Sequence, residues 1–362
     1  MARTFIIEKS ISEAVVTVGE YYTDQVHGGI VAVLRYYEPY YERFQFIPSF
    51  RFTTLVSKLK YDLFSLFRLG WKLLWDRKIR IVHIHTAAGG SFRNHMYYAG
   101  LAKLMGRKVV LHCHASQFHV WYDAISPKMR SRVNRTLSRI DRLIVLSQSW
   151  KELFTSLGID PAKIVVLNNI TPDHGGVVPE RAGDEPVRLL FLGEIGPRKG
   201  VFDVLSAMKD VSTKYPGKFC LDIGGNKMEQ ELRERISELG LSDSVCFHGF
   251  VSGEKKNQLL QNAHVFILPS WNEGLPIAIL EAMSYGCAII STPVGGIPEV
   301  VKGNGILVEP GNVEEIAAAI AQMDDDAERA LMGARSLEIV KAFYPEAVLS
   351  HLRSVYLALL SA

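Results

Sequence analysis

The sequence predicts an α/β fold built from two Rossmann-like, doubly wound domains that face a central cleft. Short apolar runs rich in β-branched residues alternate with longer helical stretches, and this alternation occurs in two series. Strands that are apolar along their whole length are typical of parallel sheets covered by helices on both faces. A length of 362 residues with 48% hydrophobic content suits two cores of this kind.

The predicted strands define the domain boundaries. The first series comprises Ala14–Val18, Phe44–Ile47, Ile79–Ile84, Val109–Cys113, Leu143–Leu146 and Ile164–Leu167. The second comprises Val187–Leu192, Phe219–Ile223, Val245–Phe247, Val265–Leu268 and Ala288–Ile290. We therefore expect an N-terminal domain over residues 1–170, a C-terminal domain over 187–344 and a final helix within 345–362. Residues 171–186, which are rich in Pro, Gly and charged residues, form the predicted linker.

Charge is distributed unevenly between the two halves. Residues 1–180 contain 24 Lys and Arg against 14 Asp and Glu, a net charge of +10, whereas the remaining residues contain 17 against 24, a net charge of −7. The basic half has no recognisable nucleic-acid motif and no uniform basic surface, so the sequence predicts no nucleic-acid partner.

Composition and cysteine spacing indicate a cytoplasmic protein. No apolar run approaches the ~20 residues of a membrane span, and the first residues lack the apolar core of a signal peptide. The four cysteines are widely separated and form no Cys-x-x-Cys pair, which favours reduced packing residues over a disulfide or a zinc site.

Part of the basic excess lies in the amphipathic segment from Thr53 to Lys78. Its charged residues include Arg68 and Lys72, and its apolar residues are predicted to line one side: Leu59, Leu63, Leu66, Phe67, Leu73 and Leu74. This pattern fits a helix packed on the sheet, and it also fits a helix whose basic rim touches an anionic membrane surface. Both interpretations stay open at this point.

The most informative segment is Asn272-Glu-Gly-Leu-Pro-Ile-Ala-Ile-Leu-Glu-Ala-Met-Ser-Tyr-Gly286. It follows a predicted strand, and Pro276 suits the first turn of a helix. A junction of this kind directs backbone N–H groups and the positive end of a helix towards a bound anion. Glu273 would repel a phosphate unless it contacts an uncharged group, and sugar hydroxyls are such a group. The combination predicts a ligand in which phosphate is joined to sugar.

This segment resembles the Glu-x7-Glu motif of the retaining nucleotide-sugar glycosyltransferases of the glycogen-synthase-like group, which have the GT-B fold. The resemblance extends from the Gly28-Gly29 loop to beyond Gly311 and is densest from Gly249 to Gly311. It implies that Glu281 holds the ribose hydroxyls, that no metal ion is required, and that the last helix crosses back onto the N-terminal domain.

A second loop, Gly193-Glu-Ile-Gly-Pro-Arg-Lys-Gly200, joins a predicted strand to a predicted helix. Arg198 and Lys199 supply positive charge where a departing diphosphate would need it. In the family an Arg follows the first glycine and a Lys lies five residues later. Lys199 matches that Lys, but Glu194 occupies the Arg position, where it either repels the diphosphate or turns away while Arg198 substitutes.

Two features of the N-terminal half complete the predicted site. Gly28 and Gly29 follow the first strand and open a helix, so they form either a glycine loop that shapes the donor phosphate and acceptor region, as the resemblance implies, or a plain turn. His114 lies at the carboxyl end of a strand and matches the family's active-site histidine. His112, and the pair His83 and His85, raise the question of a metal, but no accompanying ligand cluster completes a site, so no metal is predicted.

The predicted function is transfer of a hexose-type sugar, with retention, from a nucleotide diphosphate sugar to an acceptor hydroxyl. Lys199, Arg198 and the amides of Gly274 and Leu275 would stabilise the leaving diphosphate, while Glu273 would contact the donor sugar. A UDP-sugar is the favoured donor and a GDP-sugar the alternative, with no cofactor. The acceptor would be a saccharide or a lipid-linked saccharide.

Bacterial cell-surface polysaccharide or lipopolysaccharide assembly is the expected setting, in the cytoplasm or on the inner face of the plasma membrane. Two other functions stay open. A GT-B-fold sugar-nucleotide epimerase would bind the same donor without an acceptor, and a catalytically silent binding protein would explain Glu194. A dinucleotide-dependent oxidoreductase is not favoured, because the first strand is not followed by Gly-x-Gly-x-x-Gly.

Overall fold

The computed structural model describes residues 5–22, 28–50, 55–175 and 186–362, without the side chains of residues 50 and 55–60. The chain divides into two compact units: residues 1–170 with 345–362, and residues 171–344. His27 and most of the predicted linker lie outside the described residues.

Each unit contains one parallel sheet of six strands flanked by helices, which confirms the predicted fold class. The first sheet has the order β2-β1-β3-β4-β5-β6, from β1 Val15–Glu20, β2 Phe46–Phe50, β3 Ile81–Thr86, β4 Lys108–Cys113, β5 Arg142–Val145 and β6 Ile164–Val166. The second has the order β12-β11-β10-β7-β8-β9, from β7 Val187–Leu192, β8 Phe219–Gly224, β9 Val245–Phe247, β10 Val265–Leu268, β11 Ala288–Ser291 and β12 Gly305–Leu307.

Helices cover the sheets and follow most strands. In the first unit they are α1 Lys9–Ser12, α2 Gly29–Tyr37, α3 Leu55–Trp75, α4 Gly90–Leu104, α5 Phe118–Ala124, α6 Pro127–Arg139, α7 Gln148–Ser156 and the final α15 Pro345–Ser361. In the second they are α8 Val201–Lys214, α9 Glu229–Glu238, α10 Gly253–Asn262, α11 Ile277–Ser284, α12 Ile297–Val300, α13 Val313–Gln322 and α14 Asp326–Val340. Within the described residues, no helix is both long and apolar enough to span a bilayer.

The final helix α15 completes the first unit. The Tyr356 hydroxyl lies 2.6 Å from His83 Nδ1 and 3.0 Å from the Tyr41 hydroxyl, and all three side chains are buried. Arg353 donates two hydrogen bonds, of 2.6 and 2.8 Å, to the carboxylate of Glu8. The helix therefore contributes both apolar packing and polar contacts to the unit that begins the chain.

Helix α3 differs from its predicted arrangement. Leu69 and Leu73 are fully buried and Leu66 packs against the same core, but Leu63, Phe67 and Leu74 are exposed. The predicted side is therefore only partly buried, and the side chain of Leu59, which belongs to the same prediction, lies outside the described residues. At 100° per residue these positions span a sector of about 120°, which crosses from the buried face that passes through Leu69 and Leu73 to the exposed face.

Buried histidines form a stack inside the first sheet. His85 on β3 lies opposite His112 on β4 in the strand register, and the neighbouring rings of His83, His85, His112 and His114 stack or tilt against one another with centroids 4.1–5.4 Å apart. Burial lowers the pKa of His83 and of His114 to about 3, and the pKa of His85 and of His112 lies well below the ordinary value. These side chains are therefore neutral at pH 7.

We predict that acidification destabilises the first unit between about pH 6.5 and 5. In that range the unfolded chain binds protons at these four histidines and at His95, whose pKa burial lowers to about 4, whereas the folded unit does not. Each histidine should remove ~2 kcal/mol of stability by pH 5. Urea unfolding as a function of pH measures this loss.

The control is the exposed His351 on α15. His112→Leu should reduce the pH dependence, and His351→Gln should leave it unchanged. Equal pH dependence in wild type and His112→Leu would contradict the prediction.

Candidate functional site

The segment singled out in the sequence forms the loop and helix that follow β10. Residues 269–276 leave the strand, Pro276 is the N-cap residue, and α11 begins at Ile277. Pro276 therefore lies one residue before the helix and not within its first turn as expected. The loop brings Gly274 and Leu275 to the positive end of α11.

Glu273 is buried in this loop, with 6% of its surface exposed. Its Oε1 atom pairs with the Lys199 ammonium group and accepts a hydrogen bond of 2.8 Å from Ser270 Oγ. Isolating a carboxylate from water is costly unless a cation and hydrogen bonds compensate. The structure thus places two predicted site residues, Lys199 and Glu273, in direct contact.

Three loops are held close together around Glu273. Gly200 has φ +73°, and a Cβ atom there would lie 2.2 Å from the carbonyl oxygen of Pro269. Gly295 has φ +57°, and a Cβ atom there would lie 2.0 Å from the carbonyl oxygen of Glu273. Only glycine satisfies both the left-handed backbone and the close approach. Residues 193–200 and 292–296 are thereby fitted against the Glu273 loop.

Arg198 forms contacts on the same side of the unit. Its Nη1 atom donates to the carbonyl oxygen of Asn272 at 3.2 Å, and its Nη2 atom lies 4.0 Å from Glu194 Oε2. Glu194 therefore sits beside Arg198 and offsets part of its charge. Because both side chains are partly exposed, water screens this pair and it contributes little stability.

Glu281 lies in the second half of α11 and is also only 6% exposed. Its Oε1 atom accepts a hydrogen bond of 2.6 Å from the Lys256 ammonium group on α10. Tyr285 and His174 lie nearby, with ring centroids 4.3 Å apart. Burial lowers the pKa of His174, while the negative charge of Glu281 opposes that effect.

Lys256, His174 and Tyr285 were not predicted as site residues from the sequence. Tyr285 carried a usable signal, because it follows Glu281 by one helical turn. Lys256 and His174 are distant along the chain from Glu281, and nothing in their local sequence distinguishes them from other polar residues.

The remaining predicted site residues lie in the first unit. His114 follows β4, donates its backbone N–H to the Thr86 carbonyl oxygen at 2.8 Å, and places Nε2 3.0 Å from His85 Nδ1. Gly28 precedes α2 and Gly29 begins it, and a Cβ atom on either residue would meet none of the described residues within 4 Å. Packing against the described residues therefore does not demand glycine at these two positions.

The buried histidines also form a candidate metal cluster. Ligand atoms of His83, His85 and His112 lie within 4.8 Å of one another. The rings of His83 and His112 are stacked at an interplanar angle of 4°. Imidazole lone pairs lie in the ring plane, so stacked parallel rings direct them side by side. This arrangement does not favour a shared ion, which needs converging lone pairs.

Solved glycosyltransferases share this fold. Anabaena Alr3699/HepE in complex with UDP matches with a TM-score of 0.76 and 16% identity, over 95% of this chain and 99% of that chain. Sucrose-phosphate synthase from Thermosynechococcus elongatus matches with a TM-score of 0.72 and 20% identity, over 98% and 92% of the two chains. At these identities the likeness shows the fold alone, which is the predicted GT-B fold.

Family models match both halves of the sequence. The model described as glycosyl transferase 4-like domain matches residues 13–169, and the model described as glycosyl transferases group 1 matches residues 177–335. The chain belongs to the group 1 glycosyltransferases with a glycosyltransferase 4-like N-terminal domain.

Curated relatives carry related names. Amylovoran biosynthesis glycosyltransferase AmsK of Erwinia amylovora is 26% identical over 250 residues, 65% of this chain and 61% of its own length. O-antigen chain mannosyltransferase B of Escherichia coli is 31% identical over 157 residues, 42% of this chain and 41% of its own length. The chain thus spans about three fifths of the length of the first relative and about two fifths of the second.

We predict that Lys199→Met destabilises the second unit by about 3 kcal/mol at pH 7, because it leaves the buried Glu273 carboxylate without its cation. Chemical unfolding at pH 7 measures this loss. The exposed Lys209, changed to Met, is the matched control. A Lys199→Met protein as stable as that control at pH 7 would show that the ion pair contributes nothing.

Proposed function

We propose that this protein transfers a hexose-type sugar from a nucleotide diphosphate sugar to an acceptor hydroxyl, with retention of configuration and without a metal ion. The observation that carries the proposal is a pair of buried carboxylates, Glu273 and Glu281, in the segment that leads from β10 into α11. Each carboxylate forms an ion pair with a lysine from elsewhere in the unit. Family membership supports glycosyl transfer and favours neither an epimerase nor a silent binding protein.

The departing diphosphate would be bound at the start of α11. Lys199 supplies the main positive charge, Arg198 a weaker one because Glu194 offsets it, and the backbone of Gly274 and Leu275 lies at the positive end of the helix. Negative charge on the diphosphate grows as the glycosidic bond breaks, so these groups stabilise the transition state more than the bound donor.

Glu273 would face the donor sugar beside that diphosphate. Its contact with Lys199 fixes carboxylate and cation next to each other. A ligand that satisfies both must therefore present neutral hydroxyls and phosphate oxygens side by side, as a nucleotide sugar does. The fixed carboxylate would also stabilise positive charge that develops at the anomeric carbon.

Retention through a covalent sugar–enzyme intermediate needs a free carboxylate under the anomeric carbon. Glu273 is the candidate, but Lys199 and Ser270 already engage its Oε1 atom, which weakens it as a nucleophile. We therefore favour attack of the acceptor hydroxyl on the same face as the leaving group. The carbon–oxygen bond to the diphosphate breaks, the acceptor oxygen bonds to the anomeric carbon, and the acceptor proton passes to a phosphate oxygen.

Two further residues would position the donor. Glu281 would accept hydrogen bonds from the ribose hydroxyls, with Lys256 holding its carboxylate in place. His114 is neutral because burial lowers its pKa to about 3, so it can donate a hydrogen bond to the sugar or to a phosphate oxygen without adding charge.

The compared proteins support a nucleotide-sugar donor and suggest candidates for its nucleotide base and for the biological setting. The Anabaena structure contains UDP, which supports a UDP-sugar, whereas a Mycobacterium tuberculosis relative, 31% identical over 172 residues, is named as GDP-mannose-dependent. AmsK is named for amylovoran biosynthesis, which supports assembly of a cell-surface polysaccharide or lipopolysaccharide. The acceptor would be a saccharide or lipid-linked saccharide, met in the cytoplasm or at the inner membrane face.

The donor site is tested by thermal unfolding with UDP, GDP, ADP and dTDP in the absence of metal. We expect one diphosphate to raise the melting temperature by a few degrees, because a ligand that binds only the folded state stabilises it. Glu281→Gln should abolish the increase, and the exposed Glu338→Gln should retain it. No response to any of the four would count against a nucleotide-sugar donor.

Turnover tests the role of Lys199. With the donor identified by that screen, Lys199→Ala should lower release of nucleoside diphosphate by about 100-fold or more, because it removes charge that acts on the leaving group. Lys209→Ala should keep wild-type turnover. Near-wild-type turnover in Lys199→Ala would remove this residue from leaving-group stabilisation.

A further inference from the structure

Helix α3 carries large apolar side chains on its exposed side. These are Leu63, Phe64, Phe67, Trp71, Leu74 and Trp75, and each is 56–68% exposed. At 100° per residue they occupy one sector of about 120°. Phe67, Trp71 and Trp75 follow one another at helical spacing, with ring centroids 6.1 and 5.5 Å apart. We call these six residues the α3 apolar face.

The neighbouring helix α4 extends this surface. The Tyr98 hydroxyl donates to the Asp62 carbonyl oxygen at 3.3 Å, and Arg107 Nη2 donates to the Leu73 carbonyl oxygen at 2.8 Å, so the two helices lie alongside each other. Tyr97 and Leu104 of α4 are 65% and 84% exposed. They share a side of α4 with Leu101, which meets α3 at Gly70.

Exposure on this scale is unusual for a folded protein. Single exposed apolar residues are normal, but a contiguous patch of aromatic and aliphatic side chains marks an interaction surface. The opposite side of α3 already packs against the core of the unit, since Leu69 and Leu73 are fully buried. The six exposed residues therefore add nothing to the core, and a partner outside the unit would have to cover them.

The charges beside the patch indicate what that partner is. Arg68 and Lys72 each follow an aromatic residue of the α3 apolar face, and Arg77 lies just beyond the end of the helix. Among the described residues, none of these three cations forms an ion pair with a carboxylate. The patch is therefore apolar and aromatic at its centre and positively charged at its border, within a half-chain whose net charge is positive.

We propose that the α3 apolar face, with Tyr97 and Leu104, docks on the surface of an anionic lipid bilayer. Tryptophan and phenylalanine enter the boundary between headgroups and acyl chains, while Arg68, Lys72 and Arg77 meet lipid phosphates. Cations near an anionic surface add electrostatic attraction to the apolar burial, so the two act together. The helix lies in the plane of the interface and does not cross it.

A second copy of the chain fits this surface less well. A two-fold interface would place the same patch on both sides, so Arg68 and Lys72 of one copy would approach the same cations of the other. Like charges at such an interface are unfavourable without interleaved carboxylates. An anionic bilayer presents the opposite charge along the whole border of the patch.

Docking also narrows the chemical class of the acceptor, and this step rests on the proposed function. A first unit that lies on the membrane brings glycosyl transfer to the bilayer surface, where a lipid-linked saccharide is available. We therefore assign the acceptor to the lipid-linked class.

The test is co-sedimentation of the full chain with phosphatidylcholine vesicles that contain or lack phosphatidylglycerol. Wild type should bind the anionic vesicles, with loss of binding at high salt, and should bind the neutral ones weakly. Phe67→Ser/Trp71→Ser and Arg68→Gln/Lys72→Gln should each weaken binding by about tenfold or more, because one removes apolar burial and the other removes charge. The control is Leu331→Ser, which removes a side chain that is 52% exposed on α14.

The outcomes separate this proposal from the proposed function. Each variant should keep the wild-type melting temperature and the response to nucleoside diphosphate, which shows that the fold and donor site are intact. The docking proposal would be overturned if the wild type does not bind anionic vesicles. It would also be overturned if the Phe67→Ser/Trp71→Ser protein binds them as well as the wild type does. A concentration-dependent dimer that the same double variant abolishes would assign the patch to a second copy and would also overturn it.

If docking holds but transfer occurs equally well to a soluble saccharide and to a lipid-linked one in vesicles, the acceptor assignment fails and the docking surface stands. If vesicles bind and no nucleoside diphosphate does, the proposed function fails independently of the surface.

Discussion

The arrangement of the candidate site depends on the ion pair between Lys199 and Glu273. Each residue belongs to a different strand–helix junction of the second sheet, and the pair joins the two junctions across the carboxyl ends of neighbouring strands, β7 and β10. The charges are nearly sealed from water, so neither side chain can move away without leaving the other uncompensated. The close approaches at Gly200 and Gly295 then fix the loops around this contact. A buried pair of this kind contributes more to geometry than to net stability.

The sequence predicted the sheets more reliably than the surfaces. Every predicted strand overlaps a strand in the structure, because buried parallel strands are apolar along their whole length and stand out from their surroundings. The missed strand, β12 Gly305–Leu307, is short, lies at the sheet edge and is only half-buried, so it lacks that signal. The two faces of α3 were confused for a related reason. Both are rich in apolar residues, and composition alone does not tell which leucine faces the core.

Site residues could be predicted where local backbone pattern and chemistry coincide, as in the loops around Lys199 and Glu273. The partners of Glu281 could not, since Lys256 reaches it from another helix and only the folded unit brings them together. The same applies to the contact between Glu194 and Arg198. The sequence left open whether Glu194 turns away, and only the folded loop shows that its carboxylate lies 4.0 Å from Arg198.

The placement of α15 in the first unit has a consequence for biosynthesis. The six strands of the first sheet are synthesised first, and the whole second unit follows. Helix α15, whose Tyr356 contacts His83 and Tyr41, is synthesised only afterwards. During translation part of the apolar surface of the first unit therefore stays exposed until α15 has left the ribosome. The second unit, whose residues are contiguous, meets no such delay. The nascent N-terminal unit is thus the part of the molecule that would rely on chaperones, although it is the first to be made.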